Sequence, residues 1–286
     1  SVTAAPLRRL GETGILVPAI GLGTVKLGRN TGVKYPRPFE LPSDADALAL
    51  LERAFELGVN LIDTAPAYGV SEARLGALLA RADWFGSRSH WILSTKAGEE
   101  FDNETGTSRF DFSAPAIERS VQRSLERLRT SYLDIVLIHS DGDDVDILRR
   151  GDALGALKRL KDRGLIRAVG ISTKTVEGGM FALNATRGAK APALCDVLMV
   201  TLNAAHAAEL PLIQEAGRRG VGVLVKKAFN SGHVAGEPHR EQDPARAAID
   251  FVFRSGGAAV SSIVAGTLSP EHLEQNVRAA EESSRA

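Results

Sequence analysis

The chain has 286 residues, of which 44% are hydrophobic, with 35 lysines and arginines against 35 aspartates and glutamates, and a single cysteine, Cys195. The balanced charge gives no electrostatic reason to expect a nucleic-acid partner or an anionic membrane surface. One cysteine excludes an internal disulfide and a cysteine-rich metal site, and no apolar run reaches the roughly 20 residues that span a bilayer. Because residues 1–10 also lack the apolar core of a signal peptide, we expect a cytoplasmic α/β protein that binds no metal, nucleic acid or membrane.

The predicted elements begin with a small hairpin. Short strands at 8–10 and 15–17 flank a turn at 11–14 and are expected to close the lower end of a barrel. A repeating unit follows, in which an amphipathic helix ends at a glycine and a short apolar strand comes next, as at Gly58, Gly164 and Gly220. Glycine is favoured just beyond a helix, and a continuous branched apolar run suits a parallel strand that is buried on both faces.

Eight such strands alternate with eight helices. The strands are predicted at 19–21, 61–63, 91–95, 135–138, 168–171, 197–202, 222–225 and 262–264. The helices are predicted at 44–57, 71–81, 114–129, 152–163, 176–185, 211–219, 244–254 and 270–282. The alternation favours a (β/α)8 TIM barrel, although an open doubly wound sheet fits the same pattern. No linker rich in proline, glycine and serine divides the chain, so we expect residues 1–286 to form one domain.

Ionisable residues follow three successive predicted strands, at the end of a barrel where active sites lie. Asp63, Lys96 and His139 occupy these strand ends, and Tyr68 lies five residues beyond Asp63. Taken singly, each could be a solvated loop residue or a packed structural side chain. Together they predict a site in which a carboxylate, a phenol, an ammonium and an imidazole share one rim.

The segment around two of these residues, DTAPAYGVSE at 63–72, resembles the aldo-keto reductase signature D-T-A-x-x-Y-G-x-S-E. Further similar segments follow in the family's order at 10–14, 21–24, 94–96, 137–139, 169–172 and 266–276. The resemblance implies hydride transfer between a nicotinamide cofactor and an aldehyde, ketone, sugar or alcohol, with Tyr68 as general acid/base. A free phenol has a pKa near 10, and Lys96 is expected to lower the pKa of Tyr68. Asp63 would hold Lys96, and His139 would donate a hydrogen bond to the carbonyl.

The resemblance also implies NADP(H) or NAD(H) as cofactor. Gly23, Thr24 and Val25 match backbone positions beside the nicotinamide ribose, together with Asp63, and Ser172 matches a carboxamide contact. Three positions depart from the family: Thr173 replaces an asparagine, Met199 a glutamine, and Lys226 the aromatic residue that stacks on the nicotinamide. Lys226 and Lys227 could instead contact the pyrophosphate, or form a solvated basic rim.

The adenosine end is expected after the last strand, where Gly266 and Thr267 precede the final helix. Gln275 and Asn276 match the family's adenine-contacting pair. Gly266 and His272 stand where the family has a lysine and an arginine for the 2′-phosphate, so the preference for NADP(H) is expected to be weaker than usual and NAD(H) stays open.

Three longer connections, 27–43, 98–113 and 230–243, are expected to select the substrate. Phe101, Phe110 and Phe112 could line an apolar pocket or pack on the barrel rim. The acidic run at 141–146 would repel anionic substrates if it faced the site, and would otherwise form a solvated loop. The expected partner is a small carbonyl or alcohol compound, and the oligomeric state stays open.

Two other functions fit part of the pattern. Met199 and Lys226 would suit a relative that binds a dinucleotide without catalysis, as a sensor or regulatory subunit. Lys96 could alternatively form a Schiff base, as in a barrel aldolase or lyase.

Overall fold

The computed structural model describes residues 3–30, 40–81, 86–185, 195–230 and 243–285. Its strands are β1 (Leu7–Arg9), β2 (Leu16–Pro18), β3 (Ile20–Gly23), β4 (Leu61–Asp63), β5 (Ile92–Ala97), β6 (Glu99–Asp102), β7 (Thr107–Phe110), β8 (Leu133–His139), β9 (Ile166–Ser172), β10 (Val197–Thr201), β11 (Gly222–Lys226) and β12 (Ser262–Ala265). Its helices are α1 (Val25–Gly28), α2 (Asp44–Glu56), α3 (Ser71–Ala80), α4 (Ala114–Leu128), α5 (Asp144–Arg150), α6 (Asp152–Asp162), α7 (Val176–Ala185), α8 (Leu210–Arg218), α9 (Pro244–Gly256) and α10 (Pro270–Arg285).

Eight of these strands close into a parallel barrel in the order β10-β11-β12-β3-β4-β5-β8-β9. Closure excludes the open doubly wound sheet and confirms the (β/α)8 TIM barrel. All eight predicted barrel strands and the eight predicted helices are present, with bounds that differ by a few residues. Among the described residues, no helix is long and apolar enough to cross a bilayer.

The N-terminal hairpin is confirmed, with its strands one residue away from the predicted positions. β1 pairs antiparallel with β2, so that Arg8 lies opposite Val17. Leu10, Ile15 and Val17 are almost completely buried in the same apolar cluster as residues inside the barrel, namely Leu61, Ile92, Ile135, Leu137, Ala168, Val197, Met199 and Leu224. The hairpin therefore closes one end of the barrel by filling it with apolar side chains.

Alternation along the strands places the predicted polar residues inside the barrel. In a strand, residues two apart face the same side. Leu61, Leu137 and Leu224 belong to the interior cluster, so Asp63, His139 and Lys226 also face inward, one layer nearer the strand ends. The same alternation adds Ser172 and Thr201 from the neighbouring strands and Lys96 from β5. This upper layer is the floor of the candidate site.

The hairpin β6–β7 and the short helices α1 and α5 were not predicted from the sequence. The connection 98–113 contains the antiparallel hairpin β6–β7, and the acidic run at 141–146 contributes to α5. The interpretation of this acidic run as a solvated loop is wrong for Asp144, which is buried and accepts hydrogen bonds from the Lys174 amide (3.0 Å) and from the Thr175 amide (2.9 Å) and hydroxyl (2.7 Å). Residues 31–39 of the connection 27–43 and residues 231–242 of 230–243 lie outside the described residues.

Candidate active site

Lys96 lies at the centre of the upper layer. Its Nζ donates hydrogen bonds to Asp63 Oδ2 at 2.7 Å, to the Thr64 carbonyl at 3.1 Å and to Tyr68 Oη at 3.2 Å. A lysine ammonium has three protons, so these acceptors use all of them. The structure therefore brings together the predicted carboxylate, ammonium and phenol. Lys96 lies within β5 and not after it, because Asp63 at the end of the adjacent strand neutralises its charge.

The environment determines which of these groups carries a proton. Burial lowers the pKa of Lys96, but the charge of Asp63 and the contact with Tyr68 outweigh it and raise the pKa above its usual value. A fully protonated Lys96 is a poor nucleophile, which opposes the Schiff-base alternative. For Tyr68, burial raises the pKa above its usual value and outweighs the opposing effect of Lys96. The expectation that Lys96 would bring the pKa of Tyr68 below its usual value is therefore wrong, and Tyr68 is a neutral phenol at neutral pH.

A close approach between two backbone segments fixes the position of Tyr68. The residue ends a short 3-10 turn, Pro66–Tyr68, and Gly69 follows with φ of 63°. A Cβ atom on Gly28, the last residue of α1, would lie 2.1 Å from the Tyr68 carbonyl oxygen. A Cβ atom on Gly69 would lie 2.1 Å from the Gly28 carbonyl oxygen. Only glycine permits this contact, which holds the tyrosine turn against α1.

His139 is the last residue of β8 and faces Tyr68. The two ring centroids are 6.1 Å apart with the rings nearly perpendicular, at 87°. Burial, followed by the nearby cations Lys96, Lys226, Lys174 and Arg29, lowers the pKa of His139 well below 6.5, so the imidazole is neutral. Its Nδ1 atom is buried and has no hydrogen-bond partner among the described residues. A buried polar atom without a hydrogen-bond partner is rare in folded proteins.

On the opposite side of the upper layer, Lys226 contacts the end of β9. Its Nζ donates to Ser172 Oγ at 2.9 Å and to the Thr173 carbonyl at 2.8 Å. The Thr173 amide donates to the Met199 carbonyl at 3.1 Å, and its side chain is buried. Lys227 is exposed, with φ of 59°, and its carbonyl accepts from Asn203. The two lysines thus have different surroundings: Lys226 donates to residues at the end of β9, whereas Lys227 is exposed.

The remaining predicted cofactor residues lie at the ends of two paired strands, β3 and β12. Thr24 is buried, and its amide and hydroxyl donate to the Asp63 carbonyl at 3.1 and 2.9 Å, while Val25 begins α1. Gly23 and Gly266 leave these adjacent strand ends without side chains. The Thr267 hydroxyl accepts from the Ser269 amide at 3.2 Å just before α10. On α10 itself, His272 and Gln275 are exposed and Asn276 is buried.

Sequence reasoning missed several residues that shape the site. Ser94 donates to Asp63 Oδ1 at 2.9 Å, and alternation along β5 from Lys96 could have identified it. Arg29 donates to the Ala67 carbonyl at 3.0 Å, beside Tyr68.

Arg29 also places its guanidinium 3.8 Å from the ring centroid of Phe101. By contrast, Phe112 packs against the hydrophobic core behind the barrel. The aromatic residues in 98–113 were expected either to line an apolar pocket or to pack on the barrel, and Phe112 packs on the barrel.

Glu209, directly before α8, is a buried carboxylic acid that no motif indicated. Its Oε2 atom has no hydrogen-bond partner among the described residues. Burial raises the pKa of Glu209 to about 7, against the opposing charge of Lys226. In the described part of the chain, no group of histidine, cysteine, aspartate and glutamate residues could hold a metal ion.

Taken together, the site offers a neutral phenol that contacts a charged lysine, a neutral imidazole, and two adjacent strand ends at which glycines carry no side chains. A phenol next to an ammonium can give up its proton to a reacting oxygen, because the ammonium stabilises the phenolate that remains. This arrangement suits proton transfer to an oxygen atom on which negative charge develops.

Comparisons with known proteins agree with this geometry. The model of the aldo/keto reductase family matches residues 19–247. A solved structure of an aldo-keto reductase from Pseudomonas aeruginosa is 45% identical, with a TM-score of 0.81, and the match covers 97% of this chain and 95% of that one. L-galactose dehydrogenase of Arabidopsis thaliana is 29% identical over 98% of this chain and 90% of its own length. D-threo-aldose 1-dehydrogenase of a Pseudomonas species is 29% identical over 92% of this chain and 89% of its own length. The chain is an oxidoreductase of the aldo/keto reductase family.

Proposed function

We propose that the chain transfers a hydride between a nicotinamide cofactor, NADP(H) or NAD(H), and a carbonyl or alcohol substrate, with Tyr68 as general acid/base. The observation that carries the proposal is the set of hydrogen bonds from Lys96 Nζ to Asp63 and Tyr68. Lys96 is buried and donates one of its hydrogen bonds to the partly exposed phenol of Tyr68. A buried ion pair contributes little net stability, so a purely structural role does not account for this arrangement.

The described residues fit a nicotinamide. At the adjacent ends of β3 and β12, Gly23 and Gly266 carry no side chains, and a Cβ atom on Gly266 would have its nearest neighbour, the Gly23 carbonyl oxygen, at 4.0 Å. His139 Nδ1 is buried without a hydrogen-bond partner among the described residues. The bound cofactor would supply or accept the hydride. Gly23, Thr24 and Val25 would contact its ribose, Ser172 and Thr173 its carboxamide, and Gly266 with the first turns of α10 its adenosine end.

During reduction, Tyr68 holds the proton that the substrate oxygen needs. The raised pKa of Tyr68 keeps the phenol protonated at neutral pH, and burial is the cause. When hydride addition places negative charge on the substrate oxygen, Tyr68 Oη donates its proton, and Lys96 stabilises the phenolate at 3.2 Å. Asp63 keeps Lys96 charged and fixes its direction. The neutral His139 donates a hydrogen bond to the same oxygen from the opposite side of the site.

The substrate we infer is an aldehyde, a ketone or a sugar. Two of the relatives are named for L-galactose and D-threo-aldoses, which are polyhydroxylated aldehydes in their open-chain form. The polar upper layer, where Lys226 acts electrostatically on both His139 and Glu209, offers hydrogen-bonding groups for hydroxyl substituents.

Steady-state assays test the proposal directly. We expect the wild type to oxidise NADPH or NADH in the presence of nitrobenzaldehyde or an aldose. We expect Tyr68→Phe to reduce kcat by at least about 10²-fold while the cofactor still binds. Tyr132→Phe is the matched control, because its ring lies under Arg88 with the guanidinium 4.1 Å from the ring centroid, away from the site.

Near-normal turnover by Tyr68→Phe would refute the proposed role of the phenol. A wild type that binds the cofactor but turns over no carbonyl compound would instead support the non-catalytic alternative.

A further inference from the structure

The barrel mouth contains a lysine, Lys226, whose charge no carboxylate of the described residues neutralises through a hydrogen bond. Lys96 and Asp63 form a direct ion pair at 2.7 Å. Lys226 instead donates to a hydroxyl and a carbonyl, Ser172 Oγ and the Thr173 oxygen. These acceptors fix the direction of the ammonium without cancelling its charge.

The surroundings of Lys226 are predominantly cationic. Lys227 follows it on the chain, Lys96 lies on β5, and Lys174 follows β9, and all three act on it electrostatically. Glu209, before α8, is the acidic group that acts on it in the opposite sense. The electrostatic effect of Lys226 also reaches His139, which is in contact with Tyr68. The charge of Lys226 therefore acts where the reacting groups meet.

This charge has different consequences for the two redox forms of a nicotinamide. The oxidised ring is a cation, whereas the reduced ring is neutral. An uncompensated ammonium near the ring repels the first and leaves the second unaffected. We propose that Lys226 is a specificity-determining residue that disfavours binding of the oxidised cofactor relative to the reduced one. This inference rests on the proposed use of a nicotinamide cofactor.

Ser172 explains how the charge is held in place. Its hydroxyl ends β9 in the upper layer, and it accepts from Lys226 at 2.9 Å across the end of β10. The lysine side chain thus crosses the mouth above the buried Met199. An ammonium that is restrained in this way loses less entropy on meeting a ligand than a free surface lysine would. Its orientation is therefore set before the cofactor arrives.

The discrimination should also depend on pH. Burial, followed by the charges of Lys227 and Lys96, lowers the pKa of Lys226 to about 7, with Lys174 acting in the same direction and Glu209 against it. Below this value the ammonium is charged and repels the oxidised ring, and above it the repulsion fades. The ratio of Kd for the oxidised form to Kd for the reduced form should therefore decrease as the pH rises from about 6 to about 8.

Calorimetric titration with the oxidised and the reduced form of the same cofactor tests the inference. Lys226→Met preserves the length of the side chain and removes its charge. We expect the ratio of Kd for the oxidised form to Kd for the reduced form to fall by about tenfold in this variant, chiefly through tighter binding of the oxidised form. Lys226→Arg should give at least the wild-type ratio and should keep it constant with pH, because a guanidinium stays charged across this range. Lys158→Met is the control, since it removes a lysine charge away from the barrel mouth. Lys158 lies on the outer helix α6, with its Nζ 3.9 Å from Asp162 Oδ1.

Each outcome separates the inference from the proposed function. If both forms bind but Lys226→Met leaves their ratio within about twofold of the wild type, the inference is wrong and the cofactor proposal stands. Equal weakening of both forms would also overturn it, because that result indicates a phosphate contact. Failure of the wild type to bind either form would overturn the proposed function, and the inference with it.

Discussion

The ion pair between Lys96 and Asp63 can be broken by a single substitution of nearly identical shape. Lys96 is 1% exposed, so Asp63→Asn leaves an ammonium in a site that water does not reach. Removing one partner of a buried pair typically costs about 3–5 kcal/mol. The free-energy cost of the substitution has an upper limit, because Lys96 can lose its proton on folding. Removing this proton requires about 4.6 kcal/mol at about pH 7, given an unfolded-state pKa of about 10.4. We therefore expect the free energy of unfolding to fall by about 3–5 kcal/mol.

The pH dependence makes this prediction specific. In the wild type, the charge of Asp63 outweighs the effect of burial and raises the pKa of Lys96. The ion pair therefore stabilises the fold fully below the unfolded-state pKa of the lysine, and this contribution is lost only at higher pH. In Asp63→Asn, burial dominates and Lys96 folds in its neutral form. The cost of removing its proton then falls by about 1.4 kcal/mol per pH unit, so the deficit should shrink by about 2.7 kcal/mol between about pH 7 and about pH 9.

Urea denaturation of both proteins at each pH measures the deficit, and comparison at equal pH cancels the titration of other groups. Ser94→Ala is the matched control, because it removes the hydrogen bond to Asp63 Oδ1 at 2.9 Å and keeps both charges. It should cost about 1 kcal/mol at either pH. A deficit for Asp63→Asn that does not change with pH, or that stays below about 1 kcal/mol, would refute this reasoning.

Two further predictions concern the surroundings of Tyr68. Burial lowers the pKa of His139, so the wild type should lose stability as the pH falls below about 6.5, where the unfolded chain binds the extra proton. His139→Gln should lose less stability, which urea midpoints at about pH 5 and about pH 7 would measure. An equal loss in the two proteins would contradict a neutral His139. Gly28→Ala should displace the tyrosine turn, because its Cβ would lie 2.1 Å from the Tyr68 carbonyl oxygen, and should lower both kcat and stability, the latter by about 1–3 kcal/mol. Gly155→Ala, whose Cβ would lie 3.5 Å from its nearest neighbour, should do neither, and similar kinetics for the two variants would contradict the positioning role of Gly28.

The barrel could be predicted because its signals are local. Short apolar runs after glycine-terminated helices define the strands, and β4 occupies Leu61–Asp63 as predicted, between the polar residues Asn60 and Thr64. The end of β5 could not be predicted in the same way. A lysine in the sequence usually ends a buried strand, and only its ion pair with Asp63 on the next strand permits Lys96 to lie within one.

Contacts between distant segments explain the elements and residues that were missed. Asp144 resembles a solvated acid in sequence, but backbone amides from the segment after β9 surround it and allow α5 to form. The same limit applies to protonation. The sequence places a lysine near Tyr68, but the extent of burial, which raises the pKa of Tyr68, depends on the assembled rim. Arg29 and Glu209 likewise come to the site only through the fold.

The most direct test of the account is the destination of the hydride. Reduced nicotinamide cofactor carrying deuterium at the transferable position should be incubated with the wild type and nitrobenzaldehyde, and the alcohol product analysed by mass spectrometry. Deuterium should appear on the carbinol carbon with the wild type, and Tyr68→Phe should form almost none of this product. An alcohol product without deuterium, or equal product formation by both proteins, would contradict the proposed hydride transfer with Tyr68 as proton donor.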